Sequence, residues 1–235
     1  MSRSLGPVVV LVFAKAPEPG RVKTRLIPAL GPEGAAKLYR AFLKDTVDVV
    51  LGLSDIDVRI CMAGDLETVP TLNLPLSVEV FSQTGDGLGE RMANAFLRAF
   101  VDGYGRVIAL GTDHPTLPGD YIQMAAHVLE EPLSAVLGPT DDGGYYLIGL
   151  NDFVREPFYE MEFSHSGVFE ETAQRIEKGP LGLTILPEWF DVDEPPDLGR
   201  LRRSIESDAS RASHTQSVLA DASFQIGSRG GTLGR

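Results

Sequence analysis

The chain has 235 residues, 43% of them hydrophobic, a formal net charge of −12 and a single cysteine. That length fills one core, the acidity excludes the broad basic face that wraps nucleic acid, and one thiol excludes an internal disulfide and a cysteine-based zinc cluster. No apolar run approaches the ~20 residues of a membrane span, and the opening MSRSLGP lacks a signal-peptide pattern, so a cytoplasmic protein with neither nucleic acid nor membrane as partner is expected.

The first predicted element, Val8 to Phe13, is a continuous β-branched apolar run, the pattern of a strand covered on both faces in a parallel sheet. It breaks into AKAPEPGRVKTRL, where Lys15, Arg21, Lys23 and Arg25 stand against one acid, Glu18. Open α/β sheets bind ligands at the carboxyl ends of central strands, so this basic loop predicts a small anionic ligand, phosphates above all. The glycine frames of the dinucleotide and P-loop motifs are absent, so cationic side chains rather than a cradle of amides are expected to hold it.

A helix is predicted from Gly31-Pro32-Glu33 to about Leu53, a second strand over Asp57 to Ala63, a connection over Asp65 to Leu74 and a short strand over Ser77 to Phe81. Gln83 to Gly89 (QTGDGLG) then opens a helix to about Val101; its glycines permit close approach of backbone to a ligand. Strand four, Val107 to Leu110, ends in Gly111-Thr112-Asp113-His114-Pro115, followed by a helix over Gly119 to Glu130. Asp113 is placed to share the crevice with the basic loop, and its hard oxygens suit Mg²⁺ or Mn²⁺, although on residue type alone a turn or helix cap is the better fit.

Ala135 to Leu137 and Tyr145 to Leu150 read as strands around the turn Asp141-Asp142-Gly143-Gly144. An acidic turn with aromatic neighbours suits a hydroxyl-bearing acceptor, and a plain hairpin turn has the same appearance. A helix over Gly167 to Lys178 and a strand over Leu183 to Leu186 precede Asp191-Val192-Asp193, whose carboxylates, two apart in extended chain, face one side. Asp193 reads equally as the cap of a last helix, Pro195 to Ile205. Beyond Ser207 the chain turns polar and small-residue-rich, so residues 1–206 are expected to form a single domain and 207–235 a disordered tail. Cys61 reads as core. Strands alternating with helices give an α/β class with a mainly parallel central sheet.

Taken in order, FAKAPEPGRVKTRL, QTGDGLGERM, GTDHPTLP, GPTDDGGYYLIGL and DVDEPPDL resemble a bacterial family of glycosyltransferase-A fold, long labelled a domain of unknown function, across about residues 7 to 203. Its members are described as nucleotide-diphospho-sugar transferases, some in arsenosugar biosynthesis. The family is related to the nucleotidylyltransferases of molybdenum-cofactor and phospholactate chemistry. The resemblance implies a three-layer Rossmann-like fold, a nucleotide-phosphate loop at Ala14, Lys15, Ala16, Lys23 and Arg25, a base-reading loop at Gln83, Gly87 and Gly89, and Thr112 beside the metal-binding Asp113. Asp193 matches the late aspartate of a D-x-P-x-D-L pattern. The first loop departs from the glycine-rich loop of typical nucleotidylyltransferases, and His114 stands where relatives often carry a small residue or cysteine.

The function expected from this is a metal-dependent glycosyltransferase that uses a nucleotide-diphospho-sugar donor and a small-molecule acceptor. Asp113 and Asp193 would hold Mg²⁺ or Mn²⁺, Lys23 and Arg25 would stabilise the diphosphate, and Asp142 would serve as base. A nucleotidylyltransferase acting on a phosphorylated acceptor and a non-catalytic nucleotide-binding regulator are the alternatives. Nothing in the sequence bears on oligomeric state.

Overall fold

The apolar run at the start of the chain forms β1 (Val8–Lys15), the middle of the sheet in a computed structural model that describes residues 6–163 and 165–221. Beside it lie β2 (Ile56–Ala63), β3 (Glu79–Ser82), β4 (Arg106–Leu110), β5 (Ser134–Pro139), β6 (Tyr145–Leu150) and β7 (Gly182–Ile185). Among the described residues the strand order is β3-β2-β1-β4-β6-β5-β7, and only β6 runs antiparallel to its neighbours. This is the expected three-layer α/β fold with a mainly parallel sheet.

Both faces of β1 are covered, which explains its unbroken hydrophobicity. Val8, Val10 and Val12 join a core with Leu43 and Val47 of α1 (Ile27–Leu51) and Ile122 of α3 (Gly119–Val128). Val9 and Leu11 join a second core with Phe96 of α2 (Leu88–Val101) and Ile176 of α4 (Val168–Glu177). A smaller core sets Leu26, Leu38 and Phe42 against Phe190, Val192 and Leu198, the last from α5 (Asp197–Ser207). It ties the basic loop to the late acidic segment, 170 residues apart at Lys23 and Asp193.

The chain leaves β1 to pair with β2 on one side and returns to β4 on the other. The point where strand order reverses therefore lies between the carboxyl ends of β1 and β4, where a crevice opens.

Local differences from the sequence reading have local causes. α1 begins at Ile27, before the predicted Gly31, because a first turn forms ahead of a kink at Gly31 (φ 70) and Pro32. The connection after β2 contains a 3₁₀ turn, Leu66–Leu72, capped by Asp65. The expected tail from residue 207 is corrected in part: Ser213–Ala220 forms a further helix, α6, docked on α1. Asp45 of α1, buried, accepts the His214 and Thr215 N–H groups and the Thr215 hydroxyl at 2.9, 2.9 and 2.6 Å. That long-range capping is invisible to local composition. Residues 222–235 lie outside the described residues. No described helix is long and apolar enough to cross a membrane.

Candidate active site

The crevice has two lobes. One, of about 560 Å³, is lined by Ala14, Lys15, Lys23, Arg25, Thr112 and Arg91, among others, and is strongly cationic. The other, of about 500 Å³, runs between the sheet and the segment before α4, along Phe13, Met92, Asp142, Tyr145, Ile148 and Phe163. Asp113, Asp193 and Arg25 border both.

At the seam the Lys23 ammonium lies 2.6 Å from Asp113 Oδ1 and 2.6 Å from Asp193 Oδ1. The lysine side chain is 4% exposed, the two carboxylates 40% and 38%. Burial alone would lower the Lys23 pKa, but Asp113 and Asp193 outweigh it and raise it above the ordinary lysine value. Burial likewise pushes Asp113 up, yet Lys23 holds its carboxyl below the usual range. Lys23 sits in the left-handed region (φ 44), a cost of roughly 1–2 kcal/mol for a side chain with a Cβ, which the paired ion contacts and the buried Leu26 behind it offset.

Neither aspartate is a helix cap. α3 starts after Pro118 without a side-chain cap, and at α5 it is Asp197 that accepts the Asp193 and Glu194 N–H groups, at 3.0 and 2.7 Å. Phe190 and Val192 are buried, so Asp191 and Asp193 turn outward from the extended segment, and Val192 N–H bonds the Asp113 carbonyl at 3.0 Å. Asp191, however, turns to His114: its Oδ1 lies 2.9 Å from Nδ1, a charge contact rather than a well-directed hydrogen bond, since Nδ1 also meets the Phe190 carbonyl at 3.1 Å. Burial lowers the His114 pKa, but the Asp191 and Asp113 carboxylates win and raise it.

Tyr39, on α1, was not evident from sequence. Its hydroxyl accepts the Lys15 N–H at 2.8 Å and the Thr112 hydroxyl at 3.1 Å, clamping the ends of β1 and β4 together. Arg91, from the first turns of α2, was also missed; the only clue was its place three residues into a helix that opens on the crevice.

The loop expected to read the base borders the crevice through Gln83 and Leu88. Gln83 borders the cationic lobe, but its amide donates to the Ala14 and Cys61 carbonyls at 3.1 and 2.8 Å and so locks strand ends. Gly87 and Gly89 line neither lobe. Gly89 exists for packing, because a Cβ there would lie 2.1 Å from the Phe158 carbonyl oxygen. Ala16 is buried behind the loop with its N–H on Ala63 O at 2.7 Å.

Asp142 stands on the wall of the second lobe. Its Oδ1 accepts the Thr140 hydroxyl at 2.6 Å and the Gly144 N–H at 3.0 Å, which leaves Oδ2 without a hydrogen-bond partner among the described residues. Cys61 is fully buried in the core, and its thiol is pushed up by burial, as a structural cysteine should be.

The family described as "Uncharacterized protein conserved in bacteria (DUF2064)" matches residues 46–165. The crystal structure of a candidate nucleotide-diphospho-sugar transferase from Desulfovibrio desulfuricans G20 is 34% identical over 93% of each chain, with a TM-score of 0.81. Two more distant structures share the fold. A CMP:2-keto-3-deoxy-manno-octonic acid synthetase complexed with CTP is 10% identical over 86% of this chain and 99% of that one, with a TM-score of 0.55. A Mycobacterium tuberculosis H37Rv protein in complex with manganese is 15% identical over 86% of this chain and 99% of that one, with a TM-score of 0.53. No curated protein matches the sequence.

Proposed function

The chain belongs to the bacterial DUF2064 family, and from that membership we propose that it is a cytoplasmic glycosyltransferase that takes a nucleotide-diphospho-sugar donor and passes the sugar to a small-molecule acceptor. The observation that carries the choice of bond is the state of the amides in the basic loop. Pro17 and Pro19 have no N–H, while those of Ala16, Glu18 and Arg21 already bond the carbonyls of Ala63, Ala16 and Glu18. Among residues 16–21 only Gly20 keeps an N–H that no described residue accepts. Those six residues are poorly built to cradle the leaving pyrophosphate of a nucleotidylyl transfer, and the loop's other N–H groups without an acceptor among the described residues are those of residues 22–25. Cationic side chains above it suit a diphosphate held from one side.

In this reading Lys15, Lys23, Arg25 and Arg91 bind the donor's phosphates, with Ala14 and Thr112 as the floor. A divalent metal fits Asp113 and Asp193, because Lys23 engages one oxygen of each and the second oxygens have no partner among the described residues. Two carboxylates, completed by waters and phosphate, form the ordinary oxygen set for Mg²⁺ or Mn²⁺. Bound there, the ion would neutralise the diphosphate leaving group. Asp142, oriented by Thr140 and Gly144, presents Oδ2 to accept the proton of an acceptor hydroxyl as its oxygen attacks the anomeric carbon in an inverting displacement.

The test is product analysis after long incubation with panels of nucleotide sugars and nucleoside triphosphates in Mg²⁺ or Mn²⁺. Nucleoside diphosphate released from a nucleotide sugar, without pyrophosphate from any triphosphate, is expected. Metal-dependent pyrophosphate release with no turnover of any nucleotide sugar would replace this reading with nucleotidylyl transfer.

A further inference from the structure

The two lobes carry opposite charge. The donor lobe concentrates Lys15, Arg21, Lys23, Arg25 and Arg91. In the second lobe Asp113, Asp142, Asp191 and Asp193 face a wall whose only permanent cation among the described residues is Arg25, at the seam and already 3.6 Å from Glu194. Three of these acids have local compensation: Asp113 and Asp193 share Lys23, and Asp191 contacts His114. Asp142 is held only by neutral donors, the Thr140 hydroxyl and the Gly144 amide, and is solvent-exposed on the wall.

Beside polar Thr140 and Ser166, one side of the lobe is apolar and aromatic, from Phe13, Met92, Tyr145, Ile148, Phe163 and Val168. His165 at the rim accepts the Gly167 N–H with Nδ1 at 3.0 Å, so as a neutral ring it carries its proton on Nε2, which lies 3.7 Å from Glu171. The backbone closes the same wall tightly: a Cβ on Gly143 (φ +89) would fall 1.9 Å from the Ser166 carbonyl oxygen. The lobe is therefore a formed, acidic cleft with one aromatic and aliphatic side.

We infer that the acceptor is an uncharged or cationic hydroxyl or amine compound with an apolar or aromatic body, and that phosphorylated and carboxylate acceptors are excluded. This deepens the proposed glycosyl transfer and rests on it for the word acceptor. The physical reason is that an anion brought into the second lobe would leave water to stand beside the uncompensated Asp142, while Arg25 and the ion at the seam are engaged with the donor's diphosphate. A neutral body is held by dispersion and burial against the aromatic wall, and an ammonium gains the Asp142 carboxylate besides.

The experiment uses the full chain with Mg²⁺ and a nucleoside diphosphate, and reads four phenyl probes of matched size by ligand-observed NMR: 2-phenylethanol, 2-phenylethylammonium, phenylacetate and phenyl phosphate. The alcohol and the ammonium should bind at least about tenfold more tightly than either anion. Asp142→Asn, an exposed substitution that keeps an oxygen acceptor for Thr140 and Gly144, should weaken the ammonium severalfold and narrow its lead over the anions. Equal or tighter binding of either anion, no binding of any probe, or a probe order unaffected by Asp142→Asn overturns the inference. Nucleoside diphosphate binding is read in the same samples. If it is absent while the probe order holds, the glycosyl-transfer reading falls and the charge preference of the cavity stands.

Discussion

Replacing Lys23 by methionine tests the seam of the site directly, because it keeps the length of the side chain and removes its charge. In wild type one buried ammonium lies 2.6 Å from each of two carboxylates. Breaking a fully buried pair costs about 3–5 kcal/mol, but the aspartates here are 40% and 38% exposed, so solvent screening brings the loss to about 2 kcal/mol. For a chain of this size that lowers the melting temperature by about 4–8 °C in chelator. Adding Mn²⁺ should return most of the loss, since hundredfold excess over Kd contributes about 2.7 kcal/mol, and should stabilise wild type less because Lys23 already neutralises the pair. Asp113 has its pKa depressed, so the wild-type advantage is fully present above the ordinary carboxylate value of about 3.9 and disappears as pH falls through the lowered one. Lys23 has its pKa raised, so the advantage is fully present below about 10.4 and is lost as pH rises through the raised value. Differential scanning fluorimetry across pH, with chelator and with Mn²⁺, reads all of this. A variant as stable as wild type in chelator at pH 7, or Mn²⁺ stabilising both proteins equally, would refute the reasoning.

Three further outcomes follow from the same geometry. Asp113→Asn should fold, because the residue caps no helix, and calorimetry should show it losing the metal-dependent part of nucleoside diphosphate affinity; unfolding of the variant would instead assign Asp113 a structural role. Truncation after Glu206 should lower stability by about 1–2 kcal/mol, the scale of a lost helix cap, since it removes α6 from buried Asp45; an unchanged melting temperature would show that α6 docks without contributing. Gly89→Ala should destabilise the fold by about 1–3 kcal/mol through overpacking against Phe158, and any diphosphate affinity that survives at low temperature should match wild type, because Gly89 lines neither lobe.

The sequence by itself determined whatever depends on neighbours along the chain. The unbroken apolar run of β1 required cover on both faces, the alternation of strands and helices required a mainly parallel sheet, and the cations after β1 marked a strand end as the candidate site. Asp191 and Asp193, two apart in extended chain, already implied carboxylates on one side. Only the tertiary structure decided where those side chains meet. Asp191 and Asp193 look equivalent in sequence, yet one faces His114 and the other Lys23, because the small core around Leu26 and Phe42 fixes the segment against two different loops. Gln83 and Gly89 carry the composition of a ligand loop, but β1, β2 and Phe158 claim their atoms. The polar stretch around α6 lacks an apolar face long enough to announce a helix, and it folds because buried Asp45, some 170 residues away, caps its first turn. Composition and periodicity report local preference, whereas capping, ion pairing and close packing depend on partners that come near only when the chain is folded.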